Sequence, residues 1–109
     1  MLGELLVRPA ETMVVLHGEL DLVTIEQLRE LLEQACADAP AQLVVDLSDV
    51  PFVDVLSLST ILATADAQRE RSATLLVVGA SAAVRRMCAV LNADDVLAPD
   101  VPMPRVAAR

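Results

Sequence analysis

The apolar positions of this chain follow two rhythms, short runs and stripes spaced by three and four. Leu5, Leu6 and Val7 form a run that stops at Arg8-Pro9, and Thr12–Gly18 is a longer stretch of β-forming residues ending on a glycine. Only Pro9-Ala10-Glu11 separates them, a hairpin-sized connection, so the two predicted strands are antiparallel neighbours. Leu43–Leu47 and Thr74–Val78 are nearly continuous apolar runs bounded by turn residues, the pattern of strands covered on both faces.

Between these runs the spacing becomes helical. Ile25, Leu28, Leu31, Leu32, Ala35 and Cys36 share one face, and Glu26, Arg29, Glu30 and Glu33 take the solvated side. Thr24 with Gln27 reads as a capping box at the start of this helix, and Pro40 lies past its end. Asp54 is placed to cap a second helix with Leu58, Ile61, Leu62 and Ala65 inward, running to about Arg71. Ser81 is placed to cap a third, with Val84, Met87, Cys88 and Leu91 inward and Arg85 and Arg86 outward. Asn92, a residue that tolerates the left-handed conformation, closes it. Val96–Ala98 reads as a short last strand.

Strands that alternate with helices predict an α/β fold, a mixed and mainly parallel sheet of four to five strands packed against helices. A single domain over residues 1–99 is expected. Residues 100–109, rich in proline and small side chains, read as an extended or disordered tail.

Composition narrows the function. The 109 residues are 55% apolar but include one Phe and no Trp or Tyr, so the core is aliphatic and little is available for stacking on a base. The net charge of −8 argues against nucleic acid and against an anionic membrane surface, which both recruit Lys and Arg. The longest uncharged stretches, Val55–Ala65 and Ser72–Val84, are shorter than the ~18–20 residues a bilayer requires. The N-terminus has no basic segment followed by an apolar run, and the chain reads as cytoplasmic.

Candidate chemistry is sparse. Cys36 and Cys88 form no Cys-x-x-Cys pair and His17 is the sole histidine, so neither a zinc site nor any other cofactor is expected. Both cysteines fall at apolar helix positions and read as structural thiols, with a redox pair as the sharper alternative. The three glycines are scattered and form no phosphate-binding loop. Nothing places a nucleophile near His17, and Asp94-Asp95 or Asp46 with Asp49 are pairs that an acidic chain produces by chance. The expectation is a protein that is not an enzyme.

The ordered segments resemble a family. Gly18-Glu19-Leu20-Asp21, followed by Thr24 at a helix start, is similar to the signature that ends the second strand of STAS-domain anti-sigma factor antagonists. Val44-Val45-Asp46-Leu47-Ser48-Asp49-Val50-Pro51-Phe52 resembles their next strand and loop. Asp54 and Leu58 match the first and last residues of their Asp-Ser-Ser/Thr-Gly-Leu motif, and Val84-Arg85-Arg86 with Leu91–Leu97 resembles their closing segment. The resemblance implies docking on an anti-sigma factor with an ATP-binding, kinase-like fold, through Asp21, Phe52, Asp54, Val55, Leu56 and Ser57. It also implies a departure. The family's phosphorylated serine falls on Val55, which has no hydroxyl, so the phosphosite is absent from its family position. Ser57 and Ser59 are the weak substitutes. Phosphate would bring about −1.5 to −2 charges to an interface; Val55 and Leu56 make the same spot apolar. A small-molecule or redox sensor of STAS type, using the region of Asp21, Asp46 and Asp54, is the second reading, and a homodimer is left open.

Overall fold

The computed structural model describes residues 2–99. Its sheet has four strands in the spatial order of the chain, β1 (Gly3–Val7), β2 (Glu11–His17), β3 (Gln42–Asp49) and β4 (Thr74–Val78). β1 is antiparallel to β2, and β2, β3 and β4 are parallel to one another. The helices α1 (Ile25–Cys36), α2 (Val55–Glu70) and α3 (Ala82–Val90) follow β2, β3 and β4. The order and mixed sheet agree with the α/β expectation.

The register explains the core. Val14, Val45 and Val77 are aligned across the sheet and are fully buried. Side chains on this face of the sheet form one apolar cluster with Leu28 and Leu32 of α1, Leu58 and Ile61 of α2, and Val84 and Cys88 of α3. Burial of each such Leu or Val contributes about 1.5–3 kcal/mol. The opposite face carries the next residues along, Met13, Val44 and Leu76, which are also aligned. Among the described residues no helix is built into the core from that side, so there β3 and β4 are not covered on both faces as their apolar runs suggested. Val44 is buried between its neighbours, whereas Leu76 and Val78 are only half-buried.

Three local expectations are corrected. Val96–Ala98 is not a strand: a 3-10 turn, Asp94–Val96, precedes Leu97, which makes an isolated bridge to Val77 at the edge of β4. The capping box at Thr24 does not form, because the Thr24 backbone is already helical and its hydroxyl bonds elsewhere. Leu31 and Cys36 are half-buried, on the margin of the α1 stripe. The caps at the other helices do form: Asp54 accepts from Ser57 N at 2.8 Å and Ser81 from Val84 N at 3.2 Å. Asn92 has φ 57°, the left-handed end predicted for α3. The tail expectation for 100–109 lies outside the described residues.

Candidate functional site

Two strand-to-helix junctions meet at the end of the sheet where β2 and β3 finish. The register between these strands shifts after Val15, bringing His17 beside Asp49, and Gly18 N donates to Asp49 O at 3.1 Å. Leu20 N then donates to Phe52 O and Asp54 N donates to Leu20 O, both at 2.9 Å. Leu20 and Val53 form a parallel bridge, and both side chains are buried as pins beneath the two loops.

Above these pins the side chains face out. Phe52, Val55 and Leu56 are exposed on the β3–α2 side. Leu22 and Val23, at 70% and 85% exposure, are exposed on the β2–α1 side. Such apolar exposure at the meeting of two loops is what marks an interaction surface rather than a scattering of single residues. Leu22 and Val23 were missed in the sequence. The available signal was two adjacent apolar residues lying outside both the strand run and the helical stripe.

The acidic residues of the site hold its backbone. Asp21 Oδ1 accepts from Val23 N at 3.0 Å and from Thr24 N at 3.3 Å, the geometry of an Asx turn. Thr24 Oγ1 accepts from Asp21 N and donates to Glu19 O. Asp54 is the cap of α2. Asp46 Oδ1 accepts from the backbone and the hydroxyl of Ser48, at 2.9 and 2.7 Å. Clefts are found between α1 and α2 and between β1 and α1, and Asp21, Asp46 and Asp54 line neither.

Ser57 is removed from the contact surface and from the phosphate acceptors. It is fully buried and its Oγ has no hydrogen-bond partner among the described residues. It lies on the inner stripe of α2 with Ile61, Ala65 and the buried Gln68. Ser59 is exposed, but on the helix barrel beyond the first turn. Phe52, Asp54, Val55 and Leu56 come together as a group, with Asp21 beneath the neighbouring loop.

At the root of both junctions, His17 stands between two carboxylates. Its Nδ1 lies 2.7 Å from Asp49 Oδ2 and its Nε2 lies 2.6 Å from Glu4 Oε1. The bonds to Glu4 and then Asp49 hold the imidazole pKa above its ordinary value. The thiols behave oppositely to reactive ones: both are free, and desolvation pushes Cys36 and Cys88 up, away from thiolate. No helix among the described residues is long and apolar enough to cross a membrane.

The α/β domain thus gathers exposed apolar side chains around a capped helix start. The chain belongs to the STAS domain family, whose model described as "Mlab, STAS domain" matches residues 7–99. It is similar to the anti-sigma-F factor antagonist RsfB of Mycobacterium tuberculosis, with 41% identity over 49 residues, 45% of this chain and 40% of that protein. The match thus spans well under half the length of the curated relative. An anti-sigma factor antagonist from Mycobacterium paratuberculosis is 28% identical with a TM-score of 0.76, over 91% of this chain and 86% of that one. The unphosphorylated form of the antagonist SpoIIAA shares the fold at a TM-score of 0.76 and 17% identity, over 98% of this chain and 97% of that one.

Proposed function

We propose that this chain is a non-enzymatic regulatory module that docks an anti-sigma factor of ATP-binding, kinase-like fold in the cytoplasm and is not vetoed by phosphate at the usual position. The observation that carries this reading is the exposed apolar rim of Phe52, Val55 and Leu56, extended by Leu22 and Val23. Similarity to anti-sigma factor antagonists supplies the class of partner. Val55, 59% exposed in the first turn of α2, supplies the departure from a phosphate switch. With Ser57 buried, the rim offers no hydroxyl at the place where the family resemblance puts one.

Val55→Asp tests the surface. An acidic residue in the first turn suits the helix dipole, so the fold is retained. In an apolar contact the charge is stranded, and affinity for the partner falls by about 2 kcal/mol or more, roughly thirtyfold. Val55→Ser binds nearly as tightly as the parent and becomes a substrate for a kinase partner. The three proteins are titrated against anti-sigma factors of the kinase-like class, with circular dichroism as the folding control. Folded Val55→Asp protein that binds like the parent rejects this surface.

A further inference from the structure

We propose that the free edge of β1 is a second docking site, which takes an extended basic segment of another protein as an added strand. The sheet order leaves β1 at one edge and β4 at the other. At the β4 edge, Leu97 bridges to Val77 and Ala98 N donates to Val77 O at 2.9 Å, so part of that edge is closed. Among the described residues, β1 pairs on its inner side only, with β2.

The ladder shows which groups are offered. His17 N donates to Leu2 O at 2.7 Å and Arg8 N donates to Glu11 O at 2.9 Å. Bonding pairs alternate in an antiparallel ladder, so the backbone of Glu4 and Leu6 also turns toward β2. The N–H and C=O groups of Gly3, Leu5 and Val7 therefore turn outward. Exposed edges of this kind are templates for another strand unless charge, proline or a covering segment blocks them.

A groove accompanies the edge. Between β1 and α1 lies a cleft of about 470 Å³ with Leu2, Leu5 and Leu31 in its lining and Gln27, Glu30 and Gln34 on its helical wall. Those four α1 residues fall at i, i+3, i+4 and i+7, one stripe of the helix. Leu5 and Leu31 are only half-buried, although both pack against the core. A strand placed ~4.8 Å outside β1 would lay alternate side chains over this pair, the arrangement of β-strand addition.

Charge selects the occupant. The lining has no cationic side chain; of its two carboxylates, Glu4 is already bonded to His17 Nε2 at 2.6 Å, and Glu30 on the helical wall is the one left to a partner. A second copy of the chain would bring −8 against −8 and carry the same carboxylates to the shared edge. An extended segment with Val or Leu over Leu5 and Leu31 and a Lys or Arg within reach of Glu30 satisfies the outward backbone, the apolar lining and the carboxylate of the helical wall together.

The probe is a synthetic Lys-Val-Arg-Val-Lys-Val peptide, added to 15N-labelled full-length protein and to two variants. Val7→Pro removes an outward N–H that β2 does not use. Glu30→Lys reverses a charge on an exposed helix position. The expected result is slowed exchange of the Leu5 and Val7 amides in the parent, with affinity lowered about tenfold or more by either variant. The same peptide with Glu replacing Lys and Arg does not bind. Peptide-induced shifts confined to the rim residues Leu22, Val23, Phe52, Val55 and Leu56, or unchanged affinity of folded Glu30→Lys, would overturn the proposal. A peptide-independent dimer in analytical ultracentrifugation, lost in Val7→Pro, would overturn it in favour of a second copy.

Discussion

The two junctions that form the apolar rim lie side by side and are built in opposite ways. The β3–α2 junction ends on an ordinary cap: Asp54 is extended, with φ −85° and ψ 169°, and one carboxylate bond to Ser57 N starts the helix. The β2–α1 junction has no such cap. Thr24 sits at φ −103° and ψ 0°, and its hydroxyl is occupied within the loop rather than on the helix amides. Asp21 compensates by holding Val23 N and Thr24 N, which turns the chain and leaves Leu22 and Val23 pointing out. One junction spends its side chain on the helix, and the other spends two on the loop.

If Leu20 pins both, its loss has the largest effect. Leu20 is fully buried and its backbone bonds to Phe52 and Asp54 on the other junction. Leu20→Ala is expected to lower the unfolding free energy by about 3 kcal/mol, within the range for buried Leu truncations. Urea denaturation measures this. A loss below about 1 kcal/mol would mean that the junctions hold without the pin.

The contrast in construction separates the next two changes. Asp54→Ala removes a helix cap and is expected to cost about 1 kcal/mol of stability. Asp21→Ala removes two bonds in a loop at the surface, so it should cost less globally, while amide exchange at Val23 and Thr24 accelerates. Equal stability losses with no local exchange change at Val23 would erase the distinction between the junctions.

Ser57 sharpens the Asp54 side. Its buried Oγ has no partner among the described residues, so Ser57→Ala removes a desolvated hydroxyl without opening a large space. Stability is expected to hold or to rise by up to about 1 kcal/mol. A loss larger than that would show that the hydroxyl is used.

How legible these features were follows from how local each is. The Asp54 and Ser81 caps need only a side chain three residues before its amide, and both were readable. The order of strands and helices was readable because runs and stripes report burial directly. Ser57 was misplaced because the family motif put it in the docking set, although Ile61 and Ala65 at i+4 and i+8 put it on the inner stripe. Gln68 was invisible for another reason. It is buried because its amide reaches Pro40 O at 3.2 Å and Thr74 O at 2.9 Å, partners on other segments. The Asp21–Thr24 turn depends on a loop shape fixed by the neighbouring junction, which no spacing along the chain encodes. The second face of the sheet, without a helix among the described residues, escaped notice because Val44 on it is nevertheless buried.

The smallest expected effect lies at the common root of the two junctions. Glu4 on β1 and Asp49 at the end of β3 each approach one nitrogen of His17, on β2 between them. Only the doubly protonated imidazolium donates to both carboxylates at once. Folding therefore raises the His17 pKa above its ordinary 6.5, through Glu4 first and Asp49 second. Because the folded value is the higher one, the stabilisation is fully present below the unfolded pKa of His17. It is lost as pH rises through the folded pKa. His17→Gln removes the proton-linked part and leaves the core untouched. The melting-temperature difference between parent and His17→Gln should favour the parent at about pH 5.5 and shrink by about pH 8.5. Added salt should reduce it at the lower pH, since the three side chains are exposed to solvent. A difference that stays constant across this range, or a His17 ring-proton titration midpoint below 6.5, would show that the carboxylates do not clamp the ring. In that case the register shift after Val15, rather than charge, holds His17 beside Asp49 where the two junctions begin.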